Sequence, residues 1–296
     1  MFFDSTINEA GLNSLIESSA PDHGLIDTDR PIRLGAYGDP FAIPPDVWGD
    51  LFRRRYGPDK HLTLPKKQTG FVLYDGPGML GQDILVLANT LTNVVKNEKI
   101  GQMGQVWILL KDIEPHLAKG KQLYGVCGNC SFRHDRPKGG ICYVRRHEAP
   151  LSIHRAWQRG SYNTDQALGR AIVSRMIQQN GHTGYSESAI RHLNSRDMAT
   201  QEHATQVAIR VSLSAKSPKE AARLQAKGFQ TFRPVRSVNE LMDGEELCAA
   251  DRKGIAKMDC ATCKQCDGSA SNKSHGVLVH GNKAASANKS LYTIGG

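Results

Sequence analysis

Alternation of apolar and polar positions marks the first strands of the chain. Ile32, Leu34 and Ala36 alternate as in a half-buried strand, and Gly38-Asp39-Pro40 ends the run. Pro44-Pro45 followed by Asp46 opens a helix with Val47, Trp48, Leu51 and Phe52 on its apolar face. From Phe71 to Leu110 the pattern stays β-like. FVLYDGPG is a strand entering a glycine turn, and Ile84 to Leu87 and Gln105 to Leu110 are apolar runs separated by the polar loop VKNEKIG. Helical spacing then takes over. Pro150 opens a helix that Gly160 closes, with Ile153, Ala156 and Trp157 on one face. Asn163 to Asn180 predicts a longer helix, striped by Leu168, Ala171, Ile172 and Met176 and stopped by Gly181. GHTGYSE reads as a loop. Val207, Ile209, Val211 and Leu213 alternate as a strand. Ser217-Pro218-Lys219-Glu220 is a capping box, its helix runs to Gly228, and FQTFRPV is the next strand. Strand, helix and strand within about 30 residues make a βαβ unit with parallel pairing. GVLVHG is a last short strand that ends at His280.

These elements predict an α/β protein, a partial or modified (βα) barrel-like core with a β-rich amino-terminal portion and cysteine metal-binding loops. The expected order is a polar arm or marginal helix over 1–30, then a strand–helix unit and β-rich portion over 31–120. A first cysteine segment covers 121–160 and the α/β core 161–240. A second cysteine segment covers 241–281, and a low-complexity tail 282–296.

Composition narrows the class. The 296 residues are 39% hydrophobic and 23% charged, as in an ordinary globular protein with a full core. A formal net charge of +9 favours an acidic partner, nucleic acid foremost. No run of about 18 apolar residues and no basic, then apolar, leader stand in the sequence, so neither a membrane span nor a secretory signal is expected. The odd cysteine count and C-x2-C spacing fit reduced thiols in the cytoplasm better than a disulfide framework.

All seven cysteines fall in two clusters. Cys127, Cys130 and Cys142 read C-x2-C-x11-C, and Cys248, Cys260, Cys263 and Cys266 read C-x11-C-x2-C-x2-C. Thiols that serve only as small apolar residues scatter. Two thiolates two residues apart turn back onto one ion, and a distant partner closes the shell. The second group satisfies tetrahedral zinc with no open position, and its spacing equally suits a four-iron cluster. A mixed set of its last three cysteines with His275 or His280 leaves Cys248 idle. The first group has three thiolates. His134 or His147 completes a Cys3His site, or one coordination position stays open for chemistry.

Other candidates are single residues or a patch. Asp39, just past a strand's carboxyl end, stands where α/β chemistry collects, as acid, base or nucleophile. An Asp that merely turns the chain before Pro40 is the simpler alternative. His280 at a strand end is a second catalytic candidate. Arg145, Arg146, Arg155 and Arg159, interleaved with Tyr143, Trp157 and Tyr162, form the mixture of cations and rings used to hold phosphates and stack bases. At its helical position Trp157 belongs to the core first. Gly76, Gly78 and Gly81 are not a phosphate loop, because no Gly-Lys-Ser/Thr follows. Neither an H-E-x-x-H motif nor a Ser/His/Asp arrangement occurs.

The blocks LYDGPGML, QVWILLKDIEP, CGNC with GGICYV, APLSIHRAWQRGSY, RLGAYGDPFAIPPDVWGDLF, GHTGYSE and GFQTFRPV, with the tail from Cys248 to Gly281, resemble a family of phage, plasmid and related mobile-element proteins. That family is similar in outline to the phage gene product 88 proteins, with an early cysteine group ending in Cys-Tyr, a Gly-Asp strand end and a late cysteine run followed by histidine. The resemblance implies a degenerate barrel with metal clusters, distantly similar to radical SAM enzymes, although their C-x3-C-x2-C signature is absent. In the family the LGAYGDP block lies between the RGSY and GHTGY blocks. Here it lies at the amino end, as a unit with adjacent termini tolerates. The leading expectation is a mobile-element metalloprotein acting on or with nucleic acid, as an iron–sulfur enzyme, with zinc or an iron–sulfur cluster as cofactor. The competing classes are a non-catalytic, zinc-stapled nucleic-acid-binding accessory of replication or partition, and a transglycosylase-like base-modifying enzyme with Asp39 as nucleophile.

Overall fold

In the computed structural model, which describes residues 23–53, 62–65, 68–89, 91, 98–133, 148–254 and 257–279, the fold is built around strand β2 (Ile32–Tyr37). Ahead of it, β1 (His23–Ile26) pairs antiparallel with β3 (Leu62–Pro65) in a separate ribbon, so part of the expected arm is a strand. After β2 come helix α1 (Pro45–Leu51), β4 (Gly70–Pro77), β5 (Asp83–Asn89) and β6 (Gly104–Leu110). Helices α2 (Tyr124–Cys127) and α3 (Ala149–Gln158) precede β7 (Tyr162–Asn163), and α4 (Gln166–Asn180) precedes β8 (His182–Ser186). Helices α5 (Ser188–His192) and α6 (Met198–Ala208) lead to β9 (Ser212–Ser214), and α7 (Pro218–Gln225) to β10 (Thr231–Val235). The chain closes with β11 (Glu245–Leu247), α8 (Cys260–Cys263) and β12 (Ser274–Leu278).

Ten of these strands form one sheet in the order β11-β12-β10-β9-β8-β2-β6-β5-β4-β7. All run the same way except β5, which is antiparallel to β4 and β6. The expected barrel does not form. The order is linear, and its ends are the three-residue β11 and the two-residue β7, which do not pair. Two further expectations change. GHTGYSE is strand β8, held by parallel pairing to β2 (Ile32 with His182, Leu34 with Gly184). The strand expected over 207–213 is instead the last two residues of a helix, a turn and the start of a strand. Asp197 caps α6 through the Thr200 amide at 2.9 Å, and His203, Ala204, Val207 and Ala208 form its buried stripe. Only β9 remains extended, and the period of two was the accidental join of two elements.

The rest follows the sequence pattern. The βαβ unit is present, with β9 and β10 parallel around α7, and Ser217 Oγ accepts from the Glu220 amide at 3.2 Å. Asp165 caps α4, which ends at Gly181 with φ of 82°. Trp48, Phe41, Phe71, Ile32 and Leu34 are among the largest fully buried side chains. β6 is buried at every position, as an interior strand covered on both faces must be. Helix α4 packs close on β4, because a Cβ on Gly169 would stand 2.7 Å from Phe71 Cβ. Among the described residues no helix is long and apolar enough to cross a membrane.

Sheet order places a switch point at the centre. The chain leaves β2 through α1 toward β4, on one side. It leaves β8 through α5 and α6 toward β9, on the other. β2 and β8 are parallel neighbours, so their carboxyl ends open a crevice where open α/β sheets bind ligands.

Candidate functional site

The crevice is held by Asp39. Two residues past β2, its carboxylate accepts four hydrogen bonds. Oδ1 takes the Phe41 amide at 3.0 Å and Ser186 Oγ at 2.6 Å. Oδ2 takes the amides of Glu187 and Ser188 at 3.0 and 2.9 Å. Asp39 thus caps the turn Pro40–Ala42 and the start of α5 at once, and it fastens β2 to β8. Its own amide donates to Val126 O at 2.6 Å, which seats the first C-x2-C turn against the same crevice.

That turn is built closely. The amide of Cys130 donates to Cys127 O at 3.1 Å, and Arg133 donates to Gly128 O at 3.0 Å. Gly128 has φ of 53°, and a Cβ there would lie 2.5 Å from Ser188 Oγ, so both backbone and space demand glycine. The Ser188 hydroxyl is buried and has no hydrogen-bond partner among the described residues.

Glu187 and Arg191 complete the cluster. Arg191 grips Glu187 through two nitrogens at 2.6 and 3.2 Å and donates to Asn129 O at 2.8 Å. Ser131 Oγ lies 3.3 Å from Glu187 Oε1. Burial raises the Glu187 carboxyl above its ordinary pKa, the Asp39 charge adds to this, and Arg191 opposes it. Arg191 also lies within electrostatic range of Cys130. Below the crevice Phe41 stacks on His192 at 4.5 Å between ring centroids, and His203 lies beside it. Burial depresses the pKa of both imidazoles.

The second cysteine group lies apart from the first. The amides of Cys260 and Ala261 donate to Lys99 O and Ile100 O, each at 3.0 Å, just ahead of β6. Gly184 donates to Cys266 O at 2.9 Å, so the tail extends the ladder of β8 where β9 has not begun. A Cβ on Gly268 would lie 2.4 Å from the Val211 nitrogen, ahead of β9. By register Arg33, Thr183, Tyr185, Ser212, Phe232 and His275 share one sheet face, and this cysteine segment covers it. The Met258 amide donates to Ala249 O at 3.1 Å, which brings the Cys248 end of this segment beside the Cys260 end. Burial pushes the Cys266 thiol up to about 12, against a hydrogen bond from Tyr185, and the Cys260 thiol up to about 11, against Arg33. Burial raises Cys248 as well. Among the described residues no three His, Cys, Asp or Glu side chains surround one point closely enough to hold an ion.

The predicted site residues therefore separate. Asp39, Cys127 and Cys130 meet at the carboxyl edge. Of the later cysteines, Cys260 and Cys266 lie beside the starts of β6 and β8, and Cys248 follows the carboxyl end of β11. Arg155 is elsewhere, fastened to Glu114 at 3.1 and 3.3 Å, and Arg159 is exposed at the end of α3. Trp157 is partly buried against the core. Cys142, His147, Arg145, Arg146, His134 and His280 lie outside the described residues. Sequence reasoning missed Glu187, Ser188 and Arg191. The signal was the four-residue spacing of Glu187 and Arg191, which places them on one helical face beside the GHTGYSE block.

A scan against models of known families, a search of curated proteins and a search of solved structures each return no match.

Proposed function

We propose that the chain is a mobile-element metalloprotein, carrying zinc or an iron–sulfur cluster, that acts on nucleic acid at the carboxyl edge of its sheet. The observation that carries this reading is the meeting of Asp39, Glu187, Arg191 and the Cys127–Cys130 turn at the β2/β8 switch point. Asp39 is the positioning residue, because its acceptor sites are taken by four donors. Glu187 is the group that moves a proton. Burial keeps its protonated form accessible, and Arg191 holds the carboxylate between turns. The net charge of +9 supplies the attraction to phosphates. A transglycosylase-like attack by Asp39 fits less well, since four hydrogen bonds quench a carboxylate's nucleophilicity.

A second reading has its own support. The Glu187–Arg191 pair is already bidentate, which suits a network that only fastens the cysteine turn. In that case the protein is a non-catalytic, metal-stapled nucleic-acid binder. One set of experiments separates them. The first reading requires metal in the anaerobically purified chain and affinity for single- or double-stranded oligonucleotides that falls steeply with salt. It also requires Glu187→Gln to abolish turnover of the nucleic acid with binding intact. Binding with no turnover in the wild type selects the second reading. No binding at low salt removes both.

A further inference from the structure

We infer that Cys248, Cys260, Cys263 and Cys266 together hold one thiophilic metal centre, a zinc ion or an iron–sulfur cluster, that staples the tail to the sheet. The inference deepens the metalloprotein reading and fails separately from it, because the chemistry of that reading is at the carboxyl edge.

Three observations carry it. First, the backbone brings the four cysteines into one neighbourhood: the Met258 amide donates to Ala249 O at 3.1 Å, which closes the loop between Cys248 and Cys260, and the Gly184 amide holds Cys266 O at 2.9 Å beside them. Cys248 is delivered by β11, through its amide to Gly276 O at 2.8 Å. Cys260 and Cys263 come from α8, capped by Asp259 at the Thr262 amide at 2.8 Å. Cys266 is placed by its carbonyl on β8. Second, the chain pays for a turn that brings the last thiol back. Lys264, between Cys263 and Cys266, has φ of 52° and is the only non-glycine residue in the left-handed region among the described residues. Its amide closes on Cys260 O at 3.0 Å. A side chain there strains the backbone, and a strained residue persists where its surroundings require it. Third, cations face the thiols. Arg33 lies within range of Cys260, and Lys99 of Cys248 and Cys260, although Lys99 also pairs with Asp251 at 2.7 Å. Four thiolates around a divalent ion leave two negative charges, and Arg33, Lys99 and the Tyr185 hydroxyl on Cys266 offset them.

Each thiol gives its proton to solvent as its sulfur–metal bond forms, so loading releases four protons and changes no oxidation state when the ion is zinc. The ion draws the four side chains onto one point. The assembled centre ties residues 99–100, β8 and β11 to one another, three parts of the chain far apart in sequence.

The test uses the full-length chain, expressed with zinc and iron supplied and purified without oxygen. Elemental analysis is compared for wild type, Cys266→Ser and the double variant Cys127→Ser/Cys130→Ser. The expected result is one centre that survives in the double variant and is lost in Cys266→Ser. Brown material with about four irons per centre assigns a cluster, and colourless material with one zinc assigns an ion. If Cys266→Ser does not fold, alkylation of the wild type decides. The four tail thiols should be protected roughly tenfold or more, and all four should become reactive together after a strong chelator. Tail thiols that react equally with and without chelator overturn the inference, as does metal undiminished in a folded Cys266→Ser protein.

Discussion

The two cysteine-bearing regions lie apart on one sheet, the first at the carboxyl ends of β2 and β8 and the second running from the end of β11 to the starts of β6 and β8, and their surroundings differ in kind. In the second region the thiols are wrapped by backbone: carbonyls at 99, 100 and 276 and the ladder of β8 hold the segment that bears them. At the carboxyl edge the cysteine turn is held by the Asp39 amide and by the charged side chains of Glu187, Arg191 and Arg133. Backbone bonds fix a shape and titrate with nothing. Charged groups fix a shape too, but they also respond to protons, salt and ligands. The proposed reading gives stability to the second region and chemistry to the carboxyl edge, where open parallel sheets place their ligands.

The sharpest way to break this contrast is to strip the second region. Chelation, or Cys266→Ser, is expected to cost about 3–5 kcal/mol, or roughly 10 °C in Tm, by scanning calorimetry. An equal loss from Cys127→Ser/Cys130→Ser would erase the distinction. Glu245→Ala comes next. It leaves Arg233 buried without its 2.6 Å partner and loosens β11, which carries Cys248. The expected cost is about 3 kcal/mol by urea titration, with reduced metal content. At the carboxyl edge, Asp39→Ala strands three amides and a hydroxyl, and a loss of about 2–3 kcal/mol is expected by the same titration. A loss below about 0.5 kcal/mol would show that the crevice is not held by Asp39.

A smaller effect concerns pH. The Glu187 carboxyl has a folded pKa above its ordinary 4.5, because burial disfavours its charge. Its contribution to stability is present below that value and is lost as pH rises through the folded pKa. The difference in Tm between wild type and Glu187→Gln should therefore favour the wild type most in acid and decline toward neutral pH. A difference that grows with pH would mean that Arg191 outweighs burial and that Glu187 is held ionised. The smallest effect is expected at the periphery. Arg155→Ala removes an exposed ion pair with Glu114 and should leave Tm unchanged within error.

Much of this was legible in the residues, and the failures have physical causes. Gly38-Asp39-Pro40 announced the end of β2, because turn residues act locally. What the pattern did not carry was anything set by sheet order. An open sheet and a barrel use the same alternating units, and only the pairing of the outermost strands separates them. Glu187 and Arg191 escaped notice because β8 is five residues of mixed polarity, HTGYS. Its extended form comes from β2 beside it rather than from its own propensity. Val207 to Leu213 misled for the opposite reason: a helix end and a strand start happened to share a period.

Strand β2 lies mid-sheet although it is made well before both of its partners. Its partners are residues 104–110 and 182–186, so a nascent chain carries both bare edges of an apolar strand while those segments are still being translated. At ordinary elongation rates the wait is on the order of ten seconds, long enough for unwanted association. Yield from the ribosome should then depend on chaperone supply more than the finished protein's resistance to heat suggests.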